Sequence, residues 1–202
     1  MPHLVGPEEG RFFRHNEHVE FEDLITKEQA AALHQELTSR LSNRSPERMW
    51  SEGHDLFRES PLVKKTALSR AIADVAFQLT DQKPLRIAFD QAIVTDEFLT
   101  PLPNAPLDTL ESLSSICPIV AGVLIDLNPD RAGHALFFQP GYPLNLKERL
   151  AQPNQCFLLI AYAPEKALYY QRDTDLHTHR LKHLGYVYGD ALKEPHHPIV
   201  FK

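Results

Sequence analysis

Residues 119–141 read IVAGVLIDLNPDRAGHALFFQPG, and this stretch decides the fold. Ile119–Leu127 is almost continuously apolar and rich in β-branched residues, the composition of a strand buried on both faces. Asn128-Pro129-Asp130 ends it with turn chemistry, and Ala135–Gln139 follows as a short strand closed by Pro140-Gly141. Outward from this hairpin the period stays strand-like. Arg86–Val94 alternates imperfectly before it, while Phe157–Tyr162 and Leu168–Gln171 come after it. Strands in a row, with no helices between them, argue against a doubly wound parallel sheet. They fit an α+β chain with a double-stranded β-helix core, jelly-roll or cupin-like, flanked by N-terminal helices and a short C-terminal helix.

The flanking segments carry helix signals. Thr26 with Gln29 three residues on forms a capping box for a helix over Lys27–Leu41, in which Ala30, Leu33, Leu37 and Leu41 share a face. Ser60-Pro61 starts a second helix reaching Thr80, with Leu68, Ile72, Val75, Ala76 and Leu79 as its stripe. Between them, residues 47–59 read as a loop or broken turn that drops Trp50, Leu56 and Phe57 onto the core. A last helix near Leu176–Leu184 is capped from Asp173–Asp175 and stopped by Gly185. The chain thus reads as one domain: a loosely ordered arm (1–18, followed by a short strand at Val19–Leu24), a helical flank (19–84), a β core (85–172), and a C-terminal helix and tail (173–202) that folds back. Residues 95–115 form a long Pro-rich connection of the kind that is often functional.

Composition narrows the function classes. Of 202 residues 43% are hydrophobic and 24% charged, ordinary usage for one buried core. A net charge of −6, with scattered Lys and Arg, argues against a nucleic-acid surface. No apolar run approaches the roughly 20 residues that span a bilayer, and the N-terminus lacks the pattern of a signal peptide, so a cytoplasmic location is expected. Cys117 and Cys156 lie beside or within apolar runs and read as free thiols. Hydrolase, P-loop and dinucleotide signatures are absent from the sequence.

The order of elements resembles the phytanoyl-CoA dioxygenase-like branch of the Fe(II)/2-oxoglutarate oxygenases. The resemblance is carried by FEDLITKEQAAAL, HDLFRESPLVKK, PLRIAFDQAIV, GVLIDLNPDRAGHALFFQPGYPL and HLGYVYGDAL, which together cover most of the chain. It implies an H-x-D/E motif with a distant His to hold Fe(II), and a basic residue to grip the 2-oxoglutarate carboxylate. The motif should fall between Asp96 and Val123, where no histidine stands. His15-Asn16-Glu17 and His18-Val19-Glu20 match the pattern but read as a solvated arm. His134 stands near the place of the distant His, and Arg149 near that of the clamp.

These residues lead to the expectation of a degenerate jelly-roll that has lost its iron triad, binds no cofactor and serves as a binding or interaction module for a small ligand or a protein. Asp90, Gln91, Asp126, His134 and Tyr142 are the candidate cavity-lining residues, with Arg149 beside them. The alternative is an active dioxygenase using Fe(II) and 2-oxoglutarate through unconventional ligands, His134 with carboxylates from 95–115. A third reading places a metal on His177, His179 and His183, with oxygen ligands from Asp173 and Asp175. His196-His197 before Pro198 reads as a surface turn.

Overall fold

A computed structural model of the chain describes residues 4–95, 109–146 and 152–202. Strands β1 (His18–Phe21), β2 (Leu85–Val94), β4 (Ala121–Asp126), β5 (Ala135–Phe138), β6 (Cys156–Pro164) and β8 (Ile199–Phe201) form a six-stranded sheet in the order β1-β5-β4-β6-β2-β8. All of its pairings are antiparallel. β3 (Ile116–Cys117) and β7 (Leu168–Tyr169) pair as a separate two-stranded sheet. The chain is a mixed helix–sheet protein built on antiparallel pairing, as the run of strands in the sequence indicates.

The central pair β2 and β6 is buried along nearly its whole length, which explains why neither strand alternates cleanly in sequence. Helices α2 (Lys27–Leu41), α3 (Pro46–Glu52) and α5 (Arg70–Thr80) pack on this sheet, and α1 (Pro7–Asn16) packs on α5 and β1. α2 forms as the capping box indicates, with the Thr26 hydroxyl accepting from Gln29 N and the Gln29 side chain accepting from Thr26 N.

Several elements depart from the sequence expectation. The arm over 1–18 is not loosely ordered at 7–16. Pro7 begins α1, and the Glu9 carboxylate accepts from Gly6 N. Only Gly10 and Phe13 of that helix are buried, so its apolar period is too sparse to read. Residues 47–59 hold more regular structure than a loop or broken turn: Ser45 caps α3, and a 3-10 turn follows at Leu56–Arg58, with Trp50, Leu56 and Phe57 buried as anticipated. The helix expected from Ser60 to Thr80 is two, α4 (Pro61–Ala67) and α5, because Ser69 turns extended and recaps the chain through Ile72 N. After a short α6 (Leu110–Leu113), the last helix is α7 (Thr178–His183), and Gly185 at φ 83° takes the left-handed position that ends it. The tail does fold back, as β8 against β2. His197 lies inside the protein at 1% exposure rather than on a surface turn.

Candidate functional site

The polar pair Asp90-Gln91 sits in the middle of β2 and is almost wholly buried. Residues 53–57 run alongside it. Ala92 N donates to Gly53 O at 2.8 Å, Asp55 N donates to Asp90 O at 2.9 Å, and His54 bridges Gln91. Glycine permits this approach, since a Cβ at residue 53 would stand 2.6 Å from Ala92 O and 2.7 Å from Met49 O. Asp55 then adopts φ 56° and turns the chain into the 3-10 element. Its first amides are capped by the Asp90 carboxylate, which accepts from Leu56 N at 3.1 Å and Phe57 N at 3.0 Å.

Gln91 organises the other face. Its amide nitrogen donates to Ala92 O at 2.9 Å and to Trp50 O at 3.3 Å, which leaves Oε1 as an acceptor. Two imidazoles converge on that oxygen, His54 through Nδ1 at 3.3 Å and His177 through Nε2 at 3.1 Å. Both must therefore carry their proton on the nitrogen that faces Gln91. The rings stack 3.9 Å apart at 19°, and Phe89 extends the stack beyond His54 at 5.5 Å. His54 Nε2, left as a lone pair, stands 3.8 Å from Asp55 Oδ1, a buried oxygen without a hydrogen-bond partner among the described residues. Asp55 Oδ2 faces Arg58 Nε at 3.0 Å and Arg180 Nε at 3.8 Å.

The electrostatics follow from burial. Desolvation, then the Arg180 guanidinium, lowers the His54 pKa to about 3. Desolvation and the neighbouring His54 lower His177 to about 2. His197 falls to about 3 for want of water and beside Arg58. Its ring bonds the Tyr186 hydroxyl at 2.8 Å. Asp90 moves the other way, to about 8, through burial and the nearby Asp55 carboxylate. His54, Asp55, His177 and His197, together with Asp175 and Arg180, line a space of only ≈ 10 Å³, room for about one water molecule.

The other candidates from the sequence are placed elsewhere. Asp126 accepts from Asn128 N at 3.0 Å and Asn128 Nδ2 at 2.8 Å, closing the turn after β4. With His134, Glu20 and Arg131 it lines a separate shallow depression. Tyr142 packs against His18, the ring centroids 4.7 Å apart and tilted by 35°. Arg149 lies outside the described residues, as does most of the 95–115 connection. Of the three helix histidines only His177 turns inward, while His179 and His183 are exposed and cannot share an ion with it. Asp175 is occupied by Ser115 N at 2.8 Å and His177 N at 2.7 Å, and Asp173 is exposed. Sequence reasoning missed His54 as a partner of Gln91, and Asp55, Arg58, Arg180 and His197 around it. The one local signal is Gly53 directly before a His-Asp pair; the rest depends on long-range pairing.

No family model matches the chain, and no curated protein matches it. Solved structures do. The epimerase SnoN from nogalamycin biosynthesis, a non-heme alpha ketoglutarate dependent protein, aligns with a TM-score of 0.73 at 15% identity over 96% of this chain and 98% of its own. HygX from Streptomyces hygroscopicus, solved with nickel and 2-oxoglutarate bound, aligns at 0.57 and 16% over 93% and 98%. CT296 from Chlamydia trachomatis aligns at 0.56 and 19% over 81% and 97%. At these identities the likeness is one of fold: the chain shares the fold of the Fe/2-oxoglutarate-dependent oxygenases.

The point on which two imidazoles converge is held by a neutral amide oxygen, and both facing nitrogens carry hydrogen rather than a lone pair. Arg58 and Arg180 flank the Asp55 carboxylate and oppose a second cation there, and the Asp175 carboxylate in the same lining accepts from Ser115 N and His177 N. Among the described residues no group of three or more His, Cys, Asp or Glu is arranged to hold a metal, and the enclosed space is far smaller than 2-oxoglutarate.

Proposed function

We propose that this protein is a non-catalytic relative of the phytanoyl-CoA dioxygenase-like oxygenases: a degenerate double-stranded β-helix, represented by the six- and two-stranded sheets, that acts as a binding or interaction module without Fe(II) or 2-oxoglutarate. One observation carries the reading. The Gln91 amide oxygen stands at the convergence of His54 and His177, so the chain's own side chain saturates the polar centre between β2, the 53–57 segment and α7. A tightly packed polar cluster of this kind holds elements together and leaves no open coordination position for dioxygen chemistry.

The test is turnover. Purified full-length protein is incubated aerobically with Fe(II), ascorbate and 2-oxoglutarate, and succinate is measured against a metal-free control. The reading expects equal succinate in the two. Iron-dependent succinate that disappears in His134→Ala would instead establish the dioxygenase with unconventional ligands.

A further inference from the structure

The segment from Asp175 to His197 is tied to the rest of the protein largely through polar groups: side chains gathered about the His54–His177 stack, and backbone bonds from 189–192 to 167–169. His177 bonds Gln91, and Arg180 reaches Asp55 at 3.8 Å and His54 O at 3.4 Å. Asp175 holds Ser115 N, Arg58 donates to His196 O, and Arg86 donates to His197 O at 2.7 Å. Apolar anchoring is thin over the same stretch. Between Leu176 and Tyr188 only Leu181 and Tyr186 are fully buried among the described side chains, while Leu176, Val187 and Tyr188 are exposed.

We infer that the stacked pair His54 and His177 is an acid-operated latch: when both rings take up protons, the α7 segment leaves β2 and the interior of the sheet opens. The latch rests on packing within this chain and holds whether or not the interior binds a partner.

The geometry sets a threshold of two protons. While the segment is closed both rings stay neutral: a proton on His54 Nε2 would face Asp55 Oδ1 at 3.8 Å, but burial and the Arg180 guanidinium oppose it. A second on His177 would place two cations 3.9 Å apart. The charged groups around them are Arg58 on the 3-10 turn, Arg180 on α7 and Asp55 between them, with Asp175 preceding α7 and Asp90 on β2 facing Asp55. Arg86 and His197 add to the positive side from β2 and the tail. Asp55 is already matched by Arg58 and Arg180, and the Asp175 carboxylate already accepts from Ser115 N and His177 N. Once the segment is released, both imidazoles return to ordinary solvation and bind protons near pH 6.5.

Each histidine that is neutral when closed and free to protonate when open multiplies the open population by about ten per pH unit below roughly 6.5. Two therefore give about a hundredfold. Hydrogen exchange read by mass spectrometry on the full chain from pH 7.5 to 5, corrected for intrinsic rates, measures this for residues 176–188, with α2 as the internal reference. The expected result is a hundredfold rise in opening per pH unit while α2 stays protected. The rise falls to tenfold in His177→Asn, which keeps a donor towards Gln91, and is unchanged in His179→Asn. The latch is overturned if protection of 176–188 is flat with pH, if it is lost only in step with α2, or if His177→Asn retains the wild-type steepness. Should His177→Asn lose α2 protection at pH 7.5, the wild-type slope decides alone, and a rise below tenfold per unit overturns it.

Discussion

The imidazoles of His54 and His177 lie 3.9 Å apart and share one acceptor, the side-chain oxygen of Gln91, although they come from opposite ends of the chain. Three elements meet there, and each consequence of the arrangement is measurable.

Gln91→Leu removes the shared acceptor and both donors to Trp50 O and Ala92 O at a site with almost no water. Stranding these groups costs about 1–3 kcal/mol apiece before relaxation. A net loss of about 3 kcal/mol is expected in urea unfolding at pH 7.5. A change below about 1 kcal/mol would show that the four contacts are not made.

Gly53→Ala tests the close approach that positions His54. The added methyl meets two backbone carbonyls and the Gln91 amide nitrogen at 2.6, 2.7 and 2.9 Å, and the carbonyls, Ala92 O in β2 and Met49 O in α3, are held by regular structure and cannot swing aside. The substitution should destabilise by about 2 kcal/mol, and exchange protection of residues 53–57 should fall selectively.

Stability should fall on the acid side. The folded pKa values of His54, His177 and His197, at about 3, 2 and 3, lie below the unfolded 6.5. Their stabilising effect is therefore complete above pH 6.5 and is lost as pH falls towards 3. Asp90 has the opposite sign. Its pKa is raised to about 8, so its contribution is complete below pH 3.8 and is lost as pH rises to 8. Between pH 4 and 6 three histidines outweigh one carboxyl, a net slope of about 3 kcal/mol per pH unit as an upper figure. Urea midpoints across this range measure it. In Asp90→Asn the opposing contribution disappears, so the acid-side loss should steepen and the decline from pH 6.5 to 8 should flatten.

The thiols should differ. Burial, with Asp126 adding to it, pushes Cys156 up to about 12, whereas Cys117 is half-exposed. A disulfide reagent at pH 8 should label one thiol per chain quickly and the second only on unfolding. Equal rates would contradict the burial of β6.

Much of the fold was legible in the sequence because its signals are local. The capping box at Thr26 and Gln29, the turn after Leu127 and the apolar runs of β4 and β6 each depend on neighbours along the chain. The site was legible only in part. Asp90 and Gln91 stood out as polar groups inside an apolar strand. His177 stood out too, but with His179 and His183 as metal partners, an arrangement that a one-turn helix turning a single histidine inward does not provide. His54 and Asp55 gain their roles from antiparallel pairing with β2, and His197 from the return of the tail. No short window of sequence encodes either event.

The most direct test of the central claim is a calorimetric titration of metal-stripped protein with Mn(II) in the presence of 2-oxoglutarate, with air excluded. A non-catalytic fold whose polar centre is filled by Gln91 gives no saturable heat. Binding near one equivalent that is abolished by His134→Ala, or by His54→Ala with His177→Ala, would contradict the account and restore a metal-dependent oxygenase.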